Sequence, residues 1–161
     1  CRMGDMSAAI ALLERAEQTL DDVGDRRLIY FAREIKAHAF LRLGDAARAA
    51  EILEINGLRR FGDRWGVAHG LALASWASRL LGLNEQAVAL GEESLALRRA
   101  EEDRYGEAES LALLAAAASA SGDAATSFTL LQQSRAIRQA IGDRAGVAEC
   151  DAELARLAAL A

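Results

Sequence analysis

The stretch Gly-Asp-Arg-Trp-Gly-Val-Ala at residues 62–68 decides the fold of this chain, because it recurs at an almost constant spacing. Residues 102–108 read Glu-Asp-Arg-Tyr-Gly-Glu-Ala, residues 142–148 read Gly-Asp-Arg-Ala-Gly-Val-Ala, and a weaker copy begins with Gly-Asp-Arg at 24–26. The repeat aspartates defined by this spacing are Asp25, Asp63, Asp103 and Asp143, which lie 38 or 40 residues apart. A period of this length is typical of a solenoid, in which each repeat packs against its neighbours.

A second set of glycines lies between the repeat aspartates and divides each repeat into two helices. These turn glycines are Gly4, Gly44, Gly82 and Gly122. Gly favours a helix C-terminus because it adopts the left-handed conformation without steric cost, and Asp favours an N-terminus because its carboxylate accepts from free backbone N–H groups. We name the helix after each repeat aspartate an A helix and its partner a B helix. The predicted A helices span 26–43, 64–81, 104–121 and 144–160, and the predicted B helices span 6–21, 46–60, 85–100 and 124–141.

This pattern predicts about eight helices, of which the first lacks its A partner and the last lacks its B partner. A repeat cannot bury its apolar face alone, so we expect exposed surface at both ends. Small residues recur where the two helices of a repeat should cross, which indicates close backbone contact. They are Ala9, Ala49, Ala87 and Ser127 on the B helices, and Ala37, Ser75, Ala115 and Ala155 on the A helices.

The composition agrees with an all-helical fold and limits the classes of partner. The 161-residue chain contains no Pro, the strongest helix breaker, and only 5% of its residues are aromatic. The formal net charge of −5 disfavours nucleic acids and anionic membranes, whose binding surfaces are rich in Lys and Arg. We therefore expect neither class of partner to bind directly.

The two cysteines, Cys1 and Cys150, are too few for a disulfide framework or a metal cluster, and Cys150 should be a small buried residue. No charged-then-apolar leader is present, and the longest apolar stretch, 111–118, is too short to span a bilayer. We expect a cytoplasmic protein without cofactor or metal. Because the chain begins in the middle of a repeat, we expect 1–161 to be a single repeat domain of a longer protein, with a half-repeat at 1–24.

The helix–turn–helix repeats and small crossing residues resemble the tetratricopeptide repeat (TPR). The period is about 40 residues instead of about 34, and the Gly-Asp-Arg turn replaces the usual Pro between repeats. This longer form resembles the TPR arrays of large bacterial ATP-dependent transcriptional regulators of the maltose-regulator and LuxR-like type. The resemblance implies an all-α, right-handed α-solenoid of antiparallel helix pairs, here without a nucleotide-binding loop or DNA-binding element of its own.

In TPR arrays the A helices line a concave groove, and the resemblance implies binding positions on them. By register they are Phe31, Glu34, His38, Leu41 and Arg42 on the first A helix, His69, Ala72, Trp76, Arg79 and Leu80 on the second, Glu109, Ala112, Ala116, Ser119 and Ala120 on the third, and Glu149, Ala152, Arg156, Ala159 and Leu160 on the fourth. The third helix offers mostly Ala, which predicts a shallow trough beside Trp76.

The first two A helices carry an aromatic and basic cluster at these positions: His38, Arg42, His69, Trp76 and Arg79. In a functional interpretation Trp76 is the apolar anchor, and Arg42 and Arg79 bind a carboxylate, since Trp and Arg are enriched at binding hot spots. In the alternative, Trp76 packs against the neighbouring A helix and the histidines are ordinary residues at the edge of the groove.

The remaining polar motifs have structural interpretations. Glu34 lies one turn before His38, which predicts a surface contact, and no nucleophile joins that pair. In the repeated motif Asp should cap the A helix, Arg should cover the preceding helix end, and the following glycines should let the next helix approach. The arginine pairs 59–60 and 98–99 at B-helix ends should be solvated and complement the helix dipole.

These features favour a non-catalytic protein–protein interaction scaffold, whose groove binds a peptide or partner protein within a bacterial signalling or transcription regulator. Two alternatives stay open. The domain could sense a small ligand and control an attached ATPase, or it could self-associate through its end helices. An enzyme is the least expected class, because the sequence presents no base positioned on a nucleophile.

Overall fold

The computed structural model describes residues 3–159, with side chains from residue 6 onward, and this part of the chain contains helices and no strand. The predicted groove position Leu160 and the residue Cys1 lie outside the described residues. The helices are α1 (Met3–Val23), α2 (Arg26–Arg42), α3 (Ala46–Ile52), α4 (Ile55–Arg60), α5 (Arg64–Leu80), α6 (Asn84–Ala100), α7 (Arg104–Ala120), α8 (Ala124–Ala140) and α9 (Arg144–Ala158). The A helices are α2, α5, α7 and α9.

The helices stack in chain order, each packed mainly against its neighbours in the sequence. Successive A helices also touch, α2 with α5 and α5 with α7, whereas no two B helices in residues 3–159 are in comparable contact. The A helices therefore form the closely spaced inner layer, and their open face is the concave one. This confirms the predicted α-solenoid of helix pairs, while its right-handed sense stays a prediction.

The turns between helices have the predicted chemistry. The glycines between helices have positive φ angles, for example +67° at the motif residue Gly62 and +82° at Gly122, and the Asp after each repeat turn caps the next helix. The prediction that Gly4 precedes the first helix is wrong, because Gly4 lies inside α1. The Asp63 carboxylate accepts from the Gly66 N–H at 3.0 Å, and Asp143 accepts from Gly146 at 2.9 Å. Glu102 departs from this pattern, because it adopts φ +55° where the other repeat turns have Gly.

The small crossing residues are buried wherever both helices of a contact are present. Ala37, Ala49, Ala87 and Ala115 are fully buried, and the Ser75 hydroxyl donates to the Ala87 carbonyl at 2.7 Å. Buried serines on the B helices make a second contact, since Ser94 donates to the Ala68 carbonyl at 2.8 Å and Ser134 to that of Ala108 at 2.7 Å. These bonds explain the Ala that ends each motif: its carbonyl accepts the bond, and its small side chain lets the serine approach.

Both ends of the stack expose helix surface that a further helix would cover, as predicted. Ala148 and Ala155 on α9 are exposed, although their counterparts Ala108 and Ala115 on α7 are fully buried. On α1 the side chain of Leu12 is 63% exposed.

The predicted B helix at 46–60 is wrong in one respect, because the structure breaks it into α3 and α4 at Leu53 and Glu54. The segment from the turn glycine to the next repeat aspartate is two residues shorter here, from Gly44 to Asp63, than in the next two repeats. Two missing residues rotate the rest of a helix by about 200°, since each residue turns about 100°. The extended backbone at Leu53 (φ −77°, ψ 114°) interrupts the helix, and Leu58 is then buried on the face where later repeats place a buried side chain.

The prediction that Arg98 is solvated is also wrong. Arg98 is only 3% exposed, and its guanidinium pairs with Asp103 in the following turn. Arg138 repeats this arrangement with Asp143 at 2.8 Å. A Cβ at Gly106 would overlap the Arg98 guanidinium, so this glycine makes room for the buried arginine and not, as predicted, for the next helix. Partial burial of Asp103 opposes ionisation, but the Gly106 N–H and Arg98 outweigh it and hold the pKa of this carboxyl below its ordinary value.

Glu102→Gly should stabilise the protein, because Glu in the left-handed region carries a strain that Gly does not. We expect the free energy of unfolding to rise by about 1 kcal/mol in urea titrations. The matched control is Gly142→Ala, at φ +77° with no atom near its added Cβ, which should lower stability by a similar amount. Loss of stability in Glu102→Gly would contradict the strain argument.

Asp103→Ala should cost more stability than Asp63→Ala. Both variants lose a helix cap worth about 1 kcal/mol, but only Asp103→Ala leaves a buried arginine without its main partner, because residue 58 is Leu where residue 98 is Arg. We expect the difference in unfolding free energy to be about 2 kcal/mol or more. Equal losses would show that the buried Arg98–Asp103 pair adds nothing to the cap.

Candidate ligand-binding groove

The structure places the predicted groove positions on the A layer but not all at its surface. Phe31, His38, Arg42, Leu80, Glu149 and Arg156 are exposed, and His69, Trp76, Arg79, Glu109, Ala112, Ala116 and Ser119 are partly exposed. Leu41 and Ala72 belong to the core instead, at 3% and 2% exposure. The register is therefore right for most positions. The exposed faces form two clefts, one at each end of the A layer.

The first, which we name the α2–α5 cleft, has a volume of about 580 Å³. It is lined by Asp25, Arg27, Leu28, Phe31, Glu34, Leu58, Asp63, Trp65 and Gly66. Three of its walls are large apolar side chains that stay about half exposed, Leu28 at 47%, Phe31 at 46% and Trp65 at 48%. Apolar walls around a few converging polar groups are typical of ligand pockets.

Glu34 is the unusual member of this cleft, because its side chain is only 2% exposed. Neither carboxylate oxygen accepts a hydrogen bond from the described residues. The imidazole of His69 lies closest to it among the possible ion-pair partners in the described residues, with Nδ1 3.4 Å from Oε2 but without the alignment of a hydrogen bond. A Cβ at Gly70 would lie 2.8 Å from Oε1, so the absence of a side chain there leaves space for the carboxylate.

The predicted contact between Glu34 and His38 is therefore wrong, since Glu34 faces His69 of the next A helix and is not on the surface. Register along one helix suggested His38, but α5 packs across α2 and brings His69 closer. The Trp65 ring stacks on His69 with centroids 5.4 Å apart and an angle of 18° between the planes.

The predicted aromatic and basic cluster separates into two parts. His69 belongs with Trp65 and Glu34, whereas His38 meets Trp76 with ring centroids 5.8 Å apart. Trp76 packs, partly buried, against the core cluster that contains Phe40 and Leu73, which is the position that the packing alternative describes. A contact between Trp76 and a partner stays a prediction.

The second cleft, which we name the alanine trough, has a volume of about 500 Å³. Its lining consists of Arg79, Ala112, Ala116, Ser119, Ala120, Ser127, Leu131, Glu153 and Arg156. The small side chains of α7 thus produce a trough as predicted, but Arg79 and not Trp76 lies beside it. Arg156 is engaged by Glu153 at 2.8 Å and by Ser119 at 3.5 Å.

Arg79 differs from Arg156 because its Nε is buried and has no acceptor among the described residues. Residues 6–159 also provide no carboxylate within ion-pair distance of Arg79. The predicted site residues Glu109 and Glu149 lie near the buried arginines instead, 3.5 Å from Arg98 and 4.0 Å from Arg138. The alanine trough therefore presents one arginine that no carboxylate of the described residues neutralises.

Other kinds of site are less well supported. Within the described residues no three His, Cys, Asp or Glu side chains are grouped as metal ligands, and no helix is both long and apolar enough to cross a bilayer. Cys150 is buried as predicted, with Sγ 3.6 Å from the Ser134 hydroxyl. No model of a known protein family matches this chain, and no curated protein matches it either.

Sequence reasoning missed Leu28, Arg27 and Trp65 as cleft residues, because they precede the register positions taken from the TPR resemblance. A usable signal was present for Trp65. It occupies the variable fourth position of a motif that is otherwise repeated, where the other copies have Tyr and Ala.

Glu34→Gln should make the protein more stable at high pH. Burial raises the pKa of the Glu34 carboxyl above its ordinary value of 4.5, and nearby His69 offsets only part of this effect. A carboxyl whose pKa is raised by folding contributes its full stability below pH 4.5 and loses it as the pH rises through the folded pKa. Gln resembles the protonated form, so the variant should unfold at higher urea than the wild type at pH 8 and at similar urea at pH 4.5.

The matched control is Glu149→Gln, at an exposed carboxylate, for which we expect no pH-dependent difference from the wild type. If Glu34→Gln were less stable than the wild type at pH 8, the ionised carboxylate would be a stabilising group and not a cost.

Proposed function

We propose that this domain is a TPR-like, non-catalytic scaffold whose concave A layer binds an acidic peptide or an acidic segment of a partner protein. The observation that carries the proposal is Arg79, a partly exposed arginine whose Nε is buried beside the alanine trough without a partner. An unpaired buried donor costs free energy, and a carboxylate from outside would remove that cost.

The shape of the alanine trough supports a peptide as the occupant. Its lining includes Ala112, Ala116 and Ala120, one turn apart along α7, so no large side chain interrupts this line of the surface. A backbone can lie close to such a surface, and Arg79 then fixes the position of an acidic side chain. Arg42, which is exposed and forms no ion pair within the described residues, extends the basic character of this face.

A role in a bacterial signalling or transcription regulator, in the cytoplasm, follows only from the resemblance to the TPR arrays of ATP-dependent regulators. This role is therefore part of the proposal. The longer repeat and the Gly-Asp-Arg turn are the features that support it.

Selection from a random twelve-residue peptide library on the immobilised domain tests the proposal. We expect the selected peptides to be rich in Asp and Glu, and we expect Arg79→Glu to weaken their binding by about tenfold or more, since a charge-assisted bond becomes a repulsion. Fluorescence anisotropy with labelled peptides measures the affinity, and circular dichroism checks that the variant is folded.

The matched control is Arg60→Glu, which makes the same charge change at an exposed arginine on the B layer. Its affinity should stay within about twofold of the wild type, because exposed charges away from a site have small effects. Peptides without acidic enrichment, or equal losses in the two variants, would overturn the proposed role of the A layer.

A further inference from the structure

The internal repeats provide a comparison for the α2–α5 cleft, because three turns share the same motif but not the same neighbour. In the second and third turns a buried arginine, Arg98 or Arg138, lies against the capping aspartate and the motif glycine. In the first turn the equivalent residue is Leu58, which provides no cation. The cleft opens beside this turn, and Leu58, Asp63 and Gly66 line it.

A buried carboxylate lies in the same place. Glu34 has no counterpart in the next two repeats, where the residue nine positions after the repeat aspartate is Ala72 or Ala112. Around the first turn, therefore, Glu34 is a buried carboxylate that the next two repeats lack at this position, and the buried guanidinium of the later turns is absent. Arg98 forms no ion pair with Glu34, because its guanidinium pairs with Asp103 and Glu109, although its charge lies close enough to favour the ionised carboxylate.

We propose that the α2–α5 cleft binds a guanidinium group from outside the domain, which takes the place that Arg98 and Arg138 fill in the later turns. Glu34 would accept hydrogen bonds from the guanidinium, which has five donors in a planar fork suited to carboxylates. The exposed rings of Phe31 and Trp65 flank the cleft, and a guanidinium stacks well on aromatic faces. The second turn already shows such a pairing, since the Arg98 guanidinium lies 5.7 Å from the centroid of the Trp65 ring.

Two features of the cleft could favour a different occupant. The N-termini of α2 and α5 open beside it and would by themselves attract an anion, but Asp25 and Asp63 cap them and supply negative charge. Arg27 lines the cleft and is largely exposed, but its contact is with Asp63 at 3.5 Å and not with Glu34. Among the described residues the buried carboxylate therefore has His69 nearby but accepts no hydrogen bond, which leaves its oxygens for a ligand.

This inference goes beyond the proposed binding of acidic peptides, and it concerns the other end of the A layer. Burial raises the pKa of the Glu34 carboxyl, so we expect its ionised form to cost stability at neutral pH. A buried group that costs stability and lines a cleft is typical of a functional site.

The test is a titration of the domain at pH 8 with N-acetyl-arginine methylamide, followed by the NMR shift of the Trp65 indole N–H. We expect saturable binding in the millimolar range or tighter. The citrulline analogue, which has the same shape without the charge, should bind about tenfold more weakly or worse. Methylguanidinium is the second arm: if it binds as tightly as the arginine derivative the ligand is a free guanidino compound, and if it binds more weakly the ligand is an arginine side chain.

Two variants decide the mechanism. Glu34→Gln should reduce the affinity by about tenfold or more, whereas Glu149→Gln should retain it. Leu58→Arg introduces the arginine that the later turns have, and it should block the cleft and abolish binding. Absence of saturable binding in the wild type, or equal binding by the arginine and citrulline derivatives, would overturn the proposal. So would unchanged affinity in Glu34→Gln, and circular dichroism of that variant separates lost binding from lost folding.

This outcome is independent of the peptide selection. Arg79→Glu should leave the binding of N-acetyl-arginine methylamide unchanged, because Arg79 lines the alanine trough and not the α2–α5 cleft. If the arginine derivative does not bind, the proposed acidic-peptide site is therefore unaffected. If the peptide selection fails, the proposed guanidinium site is unaffected.

Discussion

The double role of the capping aspartate is the interaction on which the solenoid depends. At Asp103 one carboxylate oxygen accepts from the Gly106 N–H and begins α7, and the other binds the Arg98 guanidinium at the end of α6. The same residue therefore ends one helix pair and positions the next. Because Asp143 and Arg138 repeat this geometry, a hydrogen-bonded ion pair joins consecutive helix pairs at these two turns in addition to apolar packing.

The helices were predictable from the sequence because their ends are decided locally. At most of the junctions between helices a residue with positive φ is followed directly by the capping Asp, so the signal lies in two consecutive positions. The predicted helix ends agree with the structure to within about three residues. The break between α3 and α4 was harder to predict from the sequence. It depends on the two residues missing from that repeat, whose effect appears only when the helix must present Leu58 to a core built from other helices.

The site was less predictable than the fold, because its contacts join separate helices. Burial of Arg98 requires space beside Gly106, and the partner of Glu34 is decided by how α5 crosses α2, neither of which is visible in the spacing of one helix. The resemblance to TPR arrays placed most groove residues on the correct face. It placed Leu41 and Ala72 there as well, although both are buried in the core, whereas their register equivalents Arg79 and Ala112 are partly exposed.

Divergence between repeats is where this architecture can acquire binding specificity. If every turn made the same contacts, no position on the surface would differ from the others and none could bind a ligand selectively. A single substitution changes one turn, and the neighbouring turns maintain the stack. Leu58 removes a buried guanidinium from the first turn, and Glu34 adds a buried carboxylate beside it. Alanines on α7 similarly open the trough next to Arg79. The repeated residues thus maintain the scaffold, and the two clefts occur where an arginine or a large side chain is missing from the pattern.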